Sequence, residues 1–128
     1  MIRLIIKGEP VPKGRPRFTR RGFAYTPKKT RDAERMFLSQ AIKHAPEKPL
    51  EGALSIQIKF FKPKPKSKPK NVIHWTTRPD LDNFIKIIDA LNGVFWLDDS
   101  QIVEMYATKE YGDPARTEII MEEIKNDG

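Results

Sequence analysis

Asp80-Leu81-Asp82-Asn83-Phe84-Ile85-Lys86-Ile87-Ile88-Asp89-Ala90-Leu91-Asn92-Gly93-Val94-Phe95-Trp96-Leu97-Asp98-Asp99 is the stretch on which the fold turns. Leu81, Phe84, Ile85, Ile88 and Leu91 recur at helical spacing, and Asn92-Gly93 supplies a stop. Asp82, Lys86 and Asp89 fall on a second stripe of the same helix, and Asp80 takes the cap position near the positive end of the helix dipole. Eleven helical residues rise about 16 Å. Six extended residues, Val94 to Asp99, span about 20 Å. A chain that turns at Gly93 and runs back beside the helix would bring Asp98 and Asp99 to Asp80 and Asp82. Carboxylates gathered so closely need a counter-ion, and all-oxygen ligands favour Mg²⁺, with Mn²⁺ the alternative. Lys86 would then neutralise charge that builds on a phosphate. Taken singly, each acid has a plainer reading: Asp80 as a helix cap, Asp98-Asp99-Ser100 as a turn opening a strand, Asp82 and Lys86 as an ordinary helical ion pair.

The rest of the chain places this acid in a basic setting. Net charge is +7 over 128 residues. Residues 1–31 hold ten Lys/Arg against Glu9 alone, residues 62–71 hold five lysines and no acid, and residues 72–128 hold twelve Asp/Glu against five Lys/Arg. Clustered basic charge points to a polyphosphate partner. The chain has no cysteine, which excludes a thiolate zinc site, a disulfide framework and a cysteine nucleophile. No apolar run approaches membrane-spanning length, no signal peptide opens the chain, and a soluble cytoplasmic protein with no membrane partner is the expectation.

The length suits one domain over 1–128, with basic loops at 8–26 and 62–78. Ile2–Ile6 reads as a strand buried on both faces. Pro10, Pro12, Gly14, Pro16 and Gly22 break the next stretch into a long loop. Thr26-Pro27 opens a helix that runs to about His44, with Ala33, Met36, Phe37 and Ala41 as its apolar stripe. Leu54, Ile56, Ile58 and Phe60 alternate with polar residues as a strand, and the Lys-Pro tract after it is a loop. After the second helix, Ile102–Thr108 and Thr117–Ile124 are strands close enough to form a hairpin. The predicted class is α+β, in the order β-α-β-α-β-β, with a mixed sheet and two main helices.

Lys13, Arg15, Arg17, Arg20, Arg21, Lys28, Lys29 and Arg78 are the candidate DNA contacts. An aromatic among such charges can stack on an unpaired base or anchor its loop to the core. Phe23 and Tyr25 read as anchors, Phe18 and Trp75 as evenly balanced, Phe95 and Trp96 as core, and His44 and His74 as surface residues.

Asp80-Leu81-Asp82-Asn83 with Lys86, then Asp89-Ala90-Leu91, then Trp96-Leu97-Asp98-Asp99-Ser100-Gln101-Ile102, resembles the RusA family of Holliday junction resolvases. Pro12-Lys13-Gly14-Arg15-Pro16-Arg17 is similar to the same family. The resemblance implies a homodimeric, Mg²⁺-dependent endonuclease without a small-molecule cofactor. It would cut four-way junctions by paired nicks that leave 5′-phosphate ends. Carried onto matching positions, it implies Asp80, Asp82 and Asp99 as catalytic, metal-binding acids and Lys86 as the essential lysine. Asn83 would support the site and Asp98 is a further candidate ligand. Some members have an arginine just before the first aspartate, where this chain has Pro79 preceded by Arg78. The same residues leave two other functions open, a less selective nickase of branched DNA and a non-catalytic branched-DNA binder.

Overall fold

The computed structural model describes residues 1–13, 17–25 and 27–125, with the Arg17 side chain excepted. One two-layer α+β domain results. Its sheet contains β1 (Ile2–Lys7), β4 (Leu54–Lys62), β5 (Ile102–Tyr111) and β6 (Arg116–Glu123), in the order β1-β6-β4-β5. β6 runs antiparallel to β1 and β4, and β4 and β5 are parallel. A small hairpin of β2 (Arg17–Phe18) and β3 (Ala24–Tyr25) stands apart from it. Helix α1 (Lys28–Ala41), continued by a 3-10 turn over Ile42–His44, and helix α2 (Leu81–Ile85) cover one face.

The core follows from period-two alternation on the strands and helical spacing above them. Leu4, Ile6, Leu54, Ile56, Ile58, Phe60, Ile119 and Met121 are buried on one face of the sheet. Phe37, Ala41, Phe84, Ile88 and Leu91 close over them, with Phe95 and Trp96 fully buried beneath the segment that follows α2. Phe84 stacks on Phe60 at 5.2 Å between ring centres. Aromatic pairs at this distance add to the transfer energy of their buried area.

Several expectations are corrected. β1 is an edge strand buried on one face only, so Ile5 is exposed while Leu4 and Ile6 are not. Met36 lies off the stripe that Thr30, Ala33, Phe37 and Ala41 make on α1, and is exposed. The proposed cap Thr26 is outside the described residues, and Pro27 stands at the cap position of α1. The second helix is α for only five residues and becomes 3-10 over Lys86–Leu91. At three residues per turn, Ile85, Ile88 and Leu91 eclipse one another along the core side.

The largest correction concerns the last two strands, which do not form a hairpin. β4 lies between them. The chain passes over the end of β4 at Gly112, whose N–H donates to the Lys62 carbonyl at 2.8 Å. A Cβ at Gly112 would come within 2.7 Å of the Phe61 ring, so only glycine fits there without displacing that ring. The crossover leaves β5 at the edge, with no strand on its outer side among the described residues.

Candidate active site

Asp80 stands at the N-cap of α2 in an extended conformation (φ −68°, ψ 147°), yet its side chain makes no capping hydrogen bond. A cap normally uses its carboxylate on the first-turn N–H groups; here it is left over for something else. Asp82 follows in the first turn. Both are exposed. Among the described residues no ion pair engages Asp80, Asp82 or Asp99. The ordinary Asp82–Lys86 pair is therefore absent. Lys86 Nζ instead donates to Asn83 Oδ1 at 3.5 Å, a long contact that leaves the ammonium exposed one turn along from the acids.

The segment leading into Asp80 is held from below by a residue that sequence reading passed over. Lys109, on the covered face of β5, donates through Nζ to the carbonyls of Thr77 at 2.8 Å and Pro79 at 2.9 Å. The same ammonium lies 5.2 Å from the Trp75 ring centre, and Lys62 lies 4.6 Å from it. Trp75 is buried against Phe84 and Tyr111, so it anchors this segment. A basic residue at alternate position on a strand is the one signal that could have marked Lys109. Beside Pro79 lies a cleft of about 360 Å³ lined by Lys29, Lys62, Trp75 and Phe84. Lys28 and Arg78 are exposed, as are Arg20 and Arg21 at the hairpin tip. Arg15 and the side chain of Arg17 lie outside the described residues.

Lys13 is placed differently from the other basic residues. Its Nζ lies 2.9 Å from Asp89 Oδ2 and 3.4 Å from Glu34 Oε1, and its N–H donates to the Asn83 carbonyl at 3.0 Å. It thus ties the N-terminal loop to α1 and to the acid-bearing helix together. Partial burial pulls the Lys13 pKa down, but hydrogen bonds and charge attraction from Asp89 and Glu34 outweigh this and raise it. A cation so engaged has little left for a phosphate. Lys13→Met is accordingly expected to leave unchanged the slope of log binding constant against log salt. A lost phosphate contact would lower that slope by about 0.9. Lys13→Met and Asp89→Asn should each cost about 1 kcal/mol of stability and should not add, because they remove one interaction. A filter-binding salt titration and a thermal-melt double-mutant cycle measure the two effects.

Asp99 is fixed by a different device. Trp96 Nε1, fully buried, donates to Asp99 Oδ1 at 2.8 Å. Asp98 caps the 3-10 turn Asp99–Gln101: its carboxylate accepts from the Ser100 N–H at 3.1 Å, and its own N–H donates to Gln101 Oε1 at 2.8 Å. Hydrogen bonds from Ser100 hold the Asp98 carboxyl below the usual carboxylate range. Gln101 in turn donates to the carbonyls of Leu50 and Gly52. The structure thus gives Asp98 the work of shaping the turn that presents Asp99.

The expected return beside the helix does not occur. After Leu91 the chain closes at once into a tight turn, with the Phe95 N–H on the Leu91 carbonyl and the Gly93 N–H on the Trp96 carbonyl. Asp99 lies in the 3-10 turn that leads into the start of β5, whereas Pro79, next to Asp80, is held by Lys109 near its end. Seven residues of strand separate these points, so Asp80 and Asp99 lie on the order of 20 Å apart within one chain. Among the described residues no three His, Cys, Asp or Glu side chains gather as a metal site.

The comparison with known proteins decides the family. The Endodeoxyribonuclease RusA family matches residues 7–122. The chain belongs to the RusA family. The match takes in Lys13, α2 with its acids, the Asp98-Asp99 turn and all of β4, β5 and nearly all of β6. It is also similar to the "Uncharacterized protein YqaN" of Bacillus subtilis (strain 168), with 34% identity over 137 residues covering 96% of each chain. RusA membership supports a nuclease of the Holliday junction resolvase class, which depends on a divalent metal and acts on branched DNA.

Proposed function

We propose that this RusA-family chain resolves four-way DNA junctions as a two-fold dimer, nicking two opposed strands by metal-dependent hydrolysis. The observation that carries the reading is the uncommitted Asp80/Asp82 pair at the start of α2, with the Lys86 ammonium one turn away and the basic cleft beside it. Carboxylate oxygens that pair with no cation among the described residues fit a hard divalent ion, Mg²⁺ before Mn²⁺. Such an ion, when bound, supplies a water of lowered pKa and a Lewis acid for the phosphoryl oxygens. Water displaces the 3′ oxygen of the scissile phosphodiester and leaves a 5′-phosphate end. Lys86 lends positive charge to the phosphate oxygens as the bond order shifts. Asn83 Oδ1 accepts a long 3.5 Å contact from the Lys86 ammonium and so supports it on the side of the acids.

The dimer has support in the geometry of β5. Val103, Met105 and Tyr106 are exposed along this unpaired edge. Exposed edges of this kind invite pairing with another chain. Two copies joined antiparallel across β5 would set the start of one strand beside the end of the other. Such a pairing would bring Asp99 of the second copy towards Asp80 and Asp82, and would make two equivalent sites about a two-fold axis. A four-way junction has the same symmetry. The direct test is a synthetic mobile junction incubated with and without Mg²⁺, beside a flap and a linear duplex, on a denaturing gel. Symmetric nicks on the junction alone are expected. Absence of any Mg²⁺-dependent product at high protein concentration would leave only a DNA binder.

A further inference from the structure

The β2–β3 hairpin holds a feature that the cutting site does not use. Phe18, Phe23 and Tyr25 are 70%, 69% and 46% exposed, so all three stand in solvent rather than against the core. The expected anchoring of Phe23 and Tyr25 does not occur. The hairpin is nonetheless ordered by its own bonds: the Thr19 N–H donates to the Phe23 carbonyl at 2.8 Å, the Phe23 N–H to Thr19 Oγ1 at 3.1 Å, and the Gly22 N–H to the Thr19 carbonyl at 2.9 Å. Gly22 takes φ +86°, which lets the tip close. Arg20 and Arg21 are exposed at that tip. Ala24 pairs with Phe18 and Tyr25 with Arg17, so Phe23 and Tyr25 project from one face of the hairpin and Phe18 from the other.

Rings this exposed, outside the hydrophobic core of the described residues and carried on a hairpin tipped with two arginines, fit one partner chemistry. Arginine forks take phosphate, and ring faces take an unstacked base. Side chains two apart on one strand face sit about 7 Å from each other, room for one base between two rings. We propose that Phe23 and Tyr25 form a stacking platform for a base unpaired at the branch point, with Arg20 and Arg21 holding the flanking phosphates. The platform would then recognise branching itself, since an intact duplex offers no free base face. This rests on the junction-resolvase reading and assigns the selectivity of that reading to named residues.

The test measures affinity for a four-way junction and for a linear duplex of the same arms, in Ca²⁺ so that nothing is cut. Phe23→Ser/Tyr25→Ser should lose junction affinity on the order of ten-fold per ring, keep duplex affinity and keep the salt slope, since no charge is removed. Phe23→Trp should retain junction affinity. Arg20→Gln/Arg21→Gln should instead lower the salt slope by about two and weaken both DNAs. Thermal melting should not move in any of these variants, because the hairpin covers no core. A melting drop of several degrees in the Ser variant would make the rings an anchor, and equal losses on junction and duplex would make them a general contact; either result overturns the platform. A junction-binding wild type matched by its Ser variant sinks the platform alone, whereas a wild type that ignores branched DNA sinks the resolvase reading with it.

Discussion

Asp82→Asn should bind a four-way junction as tightly as the wild type and fail to cut it. The substitution keeps the size and helical setting of an exposed side chain, so the fold has no reason to respond. What it removes is one of two carboxylates that no cation among the described residues pairs with. On the proposed reading, DNA affinity rests on basic groups elsewhere, among them the Lys29/Lys62 cleft and the hairpin tip. Affinity can even rise, because a negative charge facing phosphates has gone. Transition-state stabilisation by a charged site is worth several kcal/mol, so the cleavage rate should fall on the order of a thousand-fold or more. Single-turnover cleavage on a denaturing gel, paired with gel-shift affinity, separates chemistry from binding. Undiminished cutting by Asp82→Asn would remove this acid from the mechanism.

Mixing two dead proteins should restore activity. If the acids of one site come from two chains, then a dimer of Asp82→Asn with Asp99→Asn holds one site with every acid intact and one with both lost. Co-refolded variants should therefore nick the junction on one strand, without the opposed cut. Random assortment gives half mixed dimers with one good site each, so about a quarter of the wild-type site density is expected. If instead each site is built within one chain, both sites of the mixed dimer stay broken and no product forms. The roughly 20 Å separation of Asp80 and Asp99 along β5 is what makes the outcome sharp. The experiment also reads out the dimer: a monomeric enzyme gives no rescue at any mixing ratio.

Local patterning made much of this molecule legible in its sequence. The alternation of Leu54, Ile56, Ile58 and Phe60 and the helical spacing of Phe84, Ile88 and Leu91 gave the elements and the core, as did the apolar Phe95-Trp96 pair. The α+β class and the order of its main strands and helices followed. The hydrogen-bond path of the sheet was hidden, since strands near in sequence normally pair and nothing local declares that β4 will sit between β5 and β6. Gly112 was visible as a turn residue, but its need to clear the Phe61 ring exists only in the folded chain. The candidate site residues are read from spacing and resemblance, while their placement in the fold is not. A return of six extended residues was long enough to carry Asp99 to Asp80, and length alone could not reveal that Gly93 and Phe95 would instead bond back on Trp96 and Leu91. Lys13 looked like any other basic loop residue because its two carboxylates, Glu34 and Asp89, are distant in sequence.

The Gly112 crossover also bears on how the chain acquires its shape. Two successive strands joined by a tight turn would ordinarily zip together early, at small entropic cost. Here they cannot, because the slot between them belongs to β4, where Ile56 must find Met105 on one side and Met121 on the other. The sheet can close only after distant segments have met, which places this small domain among the slower folders of its size. During that search β5 is without neighbours on both flanks, and crowded refolding at high concentration is where the protein should be most prone to aggregate.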